Sequence, residues 1–166
     1  AILTSEQGSK KPYFELDPKI KLIDIGINYK RERSYFSMCN LIKIPNHLVK
    51  QREIIKRLNP DLVISVSFGL DFYWLPYICN SVKKIKEFHS SRYYDFHMNK
   101  SKSFKIKWKL RIREFIENKY DMLIILNPGE IKFYKNKNIS IIPNPAPEVA
   151  IHSAPLVQKK VLAAGR

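Results

Sequence analysis

The sequence predicts an α/β fold, a Rossmann-like parallel sheet with helices on both faces. Three observations carry that expectation. From residue 45 onward, short β-branched runs alternate with amphipathic stretches of helical length, which is the rhythm of βα units joined by right-handed crossovers. Two of the runs, 62–66 and 122–126, are continuously apolar rather than alternating, as in strands buried on both sides. The joints between segments are Asn-Pro and Gly turns, at Asn59-Pro60-Asp61, Ser67-Phe68-Gly69 and Asn127-Pro128-Gly129.

Each element follows from local pattern. Ile2-Leu3-Thr4 and residues 20–25 read as strands with a polar connection too short for a helix, and because the sequence opens directly in a strand the domain is expected to lack its first βα unit. Residues 28–44 show no period. Pro45-Asn46 opens an amphipathic helix with His47, Val49, Ile54, Ile55 and Leu58 inward and Lys50, Arg52, Lys56 and Arg57 outward. The strand 62–66 leads through a turn into an aromatic-rich helical segment, 70–82, interrupted by Pro76. A strand at 84–89 alternates weakly, with Ile85 expected inward. After a polar loop at 90–103, a long helix over 104–119 is expected to turn Trp108, Ile112, Phe115 and Ile116 toward the core. The strand 122–126 follows. Asn127 caps a short helix reaching about residue 135, with Pro128 at its first position. A strand at 139–143 ends in a Pro-rich turn, 148–158 reads as a linker, and 159–166 reads as a final strand that stops in a Gly-Arg turn.

Composition bounds the partners. The chain has 166 residues, 45% of them hydrophobic and 27% charged, as expected of a water-soluble domain with a sizeable core. No apolar run approaches the roughly 18 residues a membrane span needs. Ala1-Ile2-Leu3-Thr4 has neither the basic start nor the apolar core of a signal peptide. Cys39 and Cys79 lack metal-ligand spacing and suit a reducing compartment. A cytoplasmic location is therefore expected. The net charge of +15 points to an anionic partner such as a phosphorylated ligand, an acidic lipid surface or nucleic acid. Codon bias in a Lys-, Ile- and Asn-rich sequence is the lesser alternative.

Several chemistries find no motif. There is no Gly-rich phosphate loop, no nucleophile elbow, and no metal spacing among His47, His89, His97 and His152. His89 is the leading candidate, since it stands at the carboxyl end of a predicted parallel strand, where ligands of open α/β sheets bind. Glu87 shares its face, and Ser90, Ser91 and Arg92 supply donors beyond it. Arg166, behind Gly165, occupies the same position on the last strand and could grip a diphosphate with two hydrogen bonds, although spacing alone favours an ordinary surface arginine. Lys100, Lys102, Lys105, Lys107, Lys109, Arg111 and Arg113 form a basic helix. A solvated face is the simpler account of it, and docking on an anionic membrane is the sharper one.

Taken together, several segments resemble the family 4 glycosyltransferases, retaining enzymes of the GT-B fold. They are Asn59-Pro60-Asp61-Leu62-Val63-Ile64-Ser65, Lys86-Glu87-Phe88-His89, Tyr120-Asp121-Met122-Leu123-Ile124-Ile125-Leu126-Asn127, Ile141-Ile142-Pro143-Asn144-Pro145 and Val161-Leu162-Ala163-Ala164-Gly165-Arg166. The resemblance implies that residues 1–147 are part of an amino-terminal acceptor-binding domain and 148–158 the interdomain linker. Residues 159–166 would be the first strand of a nucleotide-sugar-binding domain. It implies transfer of a hexose-type sugar from a nucleotide-diphosphate sugar to a glycan or lipid-linked acceptor, as in bacterial polysaccharide assembly. On that reading His89 lines the cleft near the donor sugar, and Gly165 and Arg166 contact the donor diphosphate. Glu87, Ser90 and Arg92 become candidates for the acceptor cleft. No metal or other cofactor is expected, because an arginine and a helix N-terminus can hold a diphosphate. The chain by itself is expected to be inactive, with peripheral contact on the inner face of an anionic membrane. A non-catalytic Rossmann-like module for a phosphorylated ligand is the alternative. Nucleic-acid binding ranks third, for want of a motif.

Overall fold

A computed structural model of the chain describes residues 1–5, 10–13, 15–30, 32–66, 69–93 and 104–144. The expected linker at 148–158 and the strand at 159–166, with Gly165 and Arg166, lie outside the described residues, as does most of the loop at 90–103.

The architecture is α/β with parallel sheets. Strands β1 (Ile2–Thr4) and β2 (Leu22–Asp24) pair in parallel, Ile2 opposite Leu22. A second sheet holds β3 (Leu62–Val66), β4 (Lys83–Phe88), β5 (Met122–Ile125) and β6 (Ile139–Ile141), in that spatial order and all parallel. The register aligns rows across it. Ser65, Lys86, Leu123 and Ile139 form one row, and Val66, Glu87, Ile124 and Ser140 the next, on the opposite face.

Strand order decides where the helices go. Three successive crossovers that step the same way across a sheet lie on one face if each is right-handed. The core agrees. Phe88 and Leu123, with the half-buried Val63 and Ile139, join one apolar cluster with Ile55, Leu70, Phe72, Leu75 and Ile116. The opposite face carries Leu62, Ile64, Val66 and Met122, all exposed, with Ile64 at 52% and Val66 at 53%. On that same face Ile124 is buried, so the cover is uneven, and β3, expected to be buried on both sides, is buried on one side only. Its continuous apolar run gave no hint of which side.

Helix α1 (Met38–Leu41) is one turn within the stretch that showed no period. Asn40, wholly buried, explains it: the side chain accepts from Lys30 N–H and donates to the Lys30 and Ser34 carbonyls. Helix α2 (Ile44–Leu58) begins with Pro45 in its first turn and ends at Asn59, whose φ of 42° is a left-handed cap that asparagine tolerates. Lys56 and Arg57 sit favourably in the last turn. His47, Gln51 and Ile55 face inward, whereas Val49 and Leu58, expected inside, are exposed. Trp74 Nε1–H donates to Gln51 Oε1 at 2.7 Å. Beside it, Tyr29 Oη and His47 Nδ1 lie 2.9 Å apart.

The segment 70–82 is two 3-10 helices, Leu70–Tyr73 and Leu75–Tyr77, rather than one α-helix. Pro76 has no N–H to continue a ladder, and burial of Leu70, Phe72, Trp74 and Leu75 leaves no polar face. Pro128–Phe133 is also 3-10, with Asn127 capping it as expected by accepting from Gly129 N–H at 2.8 Å.

Helix α3 (Phe104–Glu117) departs furthest from expectation. Ile116 is buried, but Trp108 and Phe115 are 56% and 58% exposed, and Ile112 is exposed as well. The helix is rotated because Glu117, fully buried, is held by two arginines. Trp108 stands about two and a half turns before Glu117, so fixing one inward sends the other outward.

Candidate functional site

The carboxyl ends of β3 and β4 bring together most of the chemistry in the described residues. Along β4, Lys84, Lys86 and Phe88 turn into the core while Ile85 and Glu87 turn to the other face. This reverses the expectation that Ile85 points inward. Two lysines can be accommodated because their stems pack among apolar groups while their amines find oxygen. Lys84 Nζ donates to the Cys79 carbonyl at 2.8 Å and Lys86 Nζ to Ser65 Oγ at 2.9 Å.

On the outer face, His89 and Glu87 form a pair. His89 Nε2 is 3.0 Å from Glu87 Oε1, with the imidazole 43% and the carboxylate 25% exposed. The residues lie two apart at the end of a strand, so their side chains share a face. A carboxylate only accepts, so in the neutral ring Nε2 carries the hydrogen and Nδ1 the lone pair. Neutral imidazole then offers an acceptor to a hydroxyl group, and imidazolium a second donor. Ser90 follows, exposed.

On the inner face a short relay starts at Lys86. Its amine donates to Ser65 Oγ, which donates to Asp71 Oδ2 at 2.8 Å. Phe72 and Phe88 flank the amine, each ring centre 5.9 Å away. Burial pulls the Lys86 ammonium down to about 8, a fall that Asp71 partly opposes. Gly69 belongs to the same device: a Cβ there would overlap Asp71 Oδ1.

Arg92 is not free to meet an acceptor. It is buried at 3% exposure and donates through Nη1 to Glu117 Oε2 at 2.6 Å, with its guanidinium 4.3 Å from the Tyr134 ring centre. Burial disfavours its charge, but Glu117 outweighs that and holds the guanidinium above its ordinary value. Its backbone N–H and Ser91 Oγ–H both donate to Glu130, each at 2.7 Å. The loop after β4 is thereby fastened to the loop after β5. The expectation of Arg92 in an acceptor cleft is corrected: it is a structural cation.

Of the residues expected at the site, the structure thus brings His89 and Glu87 together, with Ser90 exposed beside them, and removes Arg92 to the interior. Gly165 and Arg166 lie outside the described residues. Ser65, Lys86, Asp71, Glu117 and Glu130 were not anticipated. Only Lys86 left a signal, a lysine at the same strand phase as Phe88.

A cleft of about 340 Å³ lined by Arg52, Lys56, Tyr77, Ile78 and Asn80 lies toward the opposite, amino-terminal ends of β3 and β4. No group of three His, Cys, Asp or Glu side chains among the described residues is placed to hold a metal ion. No described helix is long and apolar enough to cross a membrane. Comparison with family models, curated proteins and solved structures finds no match.

Proposed function

We propose that this chain is the acceptor-side domain of a retaining, family 4-like glycosyltransferase of GT-B type. On this reading the whole enzyme moves a hexose-type sugar from a nucleotide-diphosphate sugar to a glycan or lipid-linked acceptor. The observation that carries the proposal is the His89–Glu87 pair, 3.0 Å apart at the carboxyl end of a central parallel strand and open to solvent. Such a rim is where open α/β sheets receive ligands. Glu87 orients the ring, and Nδ1 of His89 is left to hydrogen-bond a sugar hydroxyl. Positive charge at the donor diphosphate, assigned here to Arg166 by resemblance, would stabilise the leaving group as the glycosidic bond breaks.

The test uses the polypeptide that carries this chain together with its nucleotide-sugar domain. UDP, GDP or one of their sugars should raise the melting temperature, by an increment that grows with ligand over Kd. His89→Ala should lower transfer by roughly 10²–10³, the usual loss when one positioned hydrogen-bonding group is removed, at unchanged melting temperature. No stabilisation by any nucleotide, or full transfer by His89→Ala, would sink the proposal.

A further inference from the structure

Helix α3 turns its largest apolar side chains away from the protein. Phe104, Trp108, Ile112 and Phe115 recur at spacings of three and four, so they form a single stripe. Their exposures are 78%, 56%, 37% and 58%. The stripe is pre-ordered: the Phe104 and Trp108 rings stack at 6.5 Å and 17°. At 3.6 residues per turn, Lys105 and Lys109 flank it on one side and Lys107 and Arg111 on the other; all four are exposed. Lys119 Nζ adds a fifth cation, 5.1 Å from the Phe115 ring centre. Of the helix's two acids, Glu114 falls in the row of Lys107 and Arg111, and Glu117 lies on the opposite side. Glu117 is wholly buried, and Glu114 is largely buried against Lys135.

A row of exposed apolar side chains between two rows of lysine and arginine, whose one acid, Glu114, is paired with Lys135, matches an anionic lipid surface in both polarity and charge. Apolar side chains of an in-plane helix enter the boundary between headgroups and acyl chains while the flanking cations meet the headgroups. Aromatic rings are favoured at that depth. A solvated surface helix would bear the reverse pattern, with its aromatics inward. We propose that α3 is a membrane-docking helix that seats the domain on an anionic bilayer through Phe104, Trp108, Ile112 and Phe115. The inference does not depend on glycosyl transfer and holds whatever reaction the protein catalyses.

The experiment is co-sedimentation of the full chain with phosphatidylcholine vesicles, with and without phosphatidylglycerol, alongside Trp fluorescence. The chain should partition onto the phosphatidylglycerol vesicles and be released by salt. Trp108 emission should shift to the blue and be quenched by brominated acyl chains, which do not reach the buried Trp74. The triple variant Phe104→Ser/Trp108→Ser/Phe115→Ser should partition roughly tenfold or more weakly. Lys105→Glu/Lys107→Glu/Lys109→Glu/Arg111→Glu should lose the preference for anionic lipid. Val49→Ser, at an exposed apolar position on α2, should bind like wild type. The proposal is overturned if wild type ignores both vesicle types, if brominated lipid leaves Trp108 unquenched, or if the triple variant binds vesicles undiminished. It is equally overturned if the stripe proves to join two copies, with wild type dimeric and unbound to lipid. Nucleic-acid binding by wild type in place of vesicle binding would also overturn it. Because quenching is read on wild type, the test stands even if a variant misfolds.

Discussion

Arg92 Nη1 donates to Glu117 Oε2 at 2.6 Å, with both side chains almost wholly out of water, and Arg113 Nε donates to the other oxygen of the same carboxylate at 2.9 Å. The cluster joins the loop after β4 to the last turn of α3. Removing the shared anion strands two guanidiniums in the interior. Glu117→Ala should therefore destabilise the fold by about 3–5 kcal/mol in urea unfolding. Replacing Arg92, Arg113 and Glu117 together by apolar residues should cost far less. A loss below about 1 kcal/mol for Glu117→Ala would show that water already reaches these groups.

Lys86 should give the protein an unusual alkaline response. Its amine loses its proton near 8 in the folded chain, whereas an unfolded lysine holds it to about 10.4. Between those values the unfolded state binds more protons, so stability rises with pH, by up to about 1.4 kcal/mol per unit from this group. Above about 10 the trend reverses at Tyr120. Burial, followed by Asp71, keeps its hydroxyl protonated in the native state, while the unfolded tyrosine ionises. Lys86→Met should flatten the rise between pH 8 and 10 without lowering stability at pH 7. An unchanged slope in the variant would refute the assignment.

The Gly69–Asp71–Ser65 contact predicts a non-additive pair of substitutions. Gly69→Ala alone displaces the Asp71 carboxylate that receives the Ser65 hydroxyl, and should cost about 1–2 kcal/mol. In an Asp71→Ala background the added methyl meets no oxygen, so its cost should fall to within about 0.5 kcal/mol of zero. Additive costs would mean that Gly69 serves the backbone and not Asp71.

At the rim, His89 and Glu87 are exposed enough that His89→Ala should change stability by no more than about 0.5 kcal/mol, separating activity from folding. Glu87→Gln keeps an oxygen that can accept from Nε2, whereas Glu87→Ala does not. Transfer activity should therefore fall more in the alanine variant than in the glutamine variant. Equal activity in all three chains would show that ring orientation is irrelevant.

The regular elements were legible because period and punctuation are local. The α2 helix between Pro45 and Asn59, the strands centred on Ile64 and Ile124, and the Asn127 cap follow from neighbouring residues. The pairing of His89 with Glu87 followed from strand alternation alone. What failed was orientation. An apolar stripe gives a helix a sidedness without saying which side meets protein, and in α3 the buried face was decided by Arg92 and Glu117, 25 positions apart. Similarly, Lys86 lies inside because Ser65, on a different strand, is there to accept from it. Arg92 looked available because its partners on α3 and near Tyr134 could not be read from its own loop.

The sheet is laid down in the order of the chain, β3 beside β4, β4 beside β5, β5 beside β6. Among these four described strands none waits for a partner made much later, so loop-closure entropy is met in small instalments. On a ribosome the sheet can widen by one ribbon each time a crossover emerges, and β3, the first of the four, need never be prised apart to admit a latecomer.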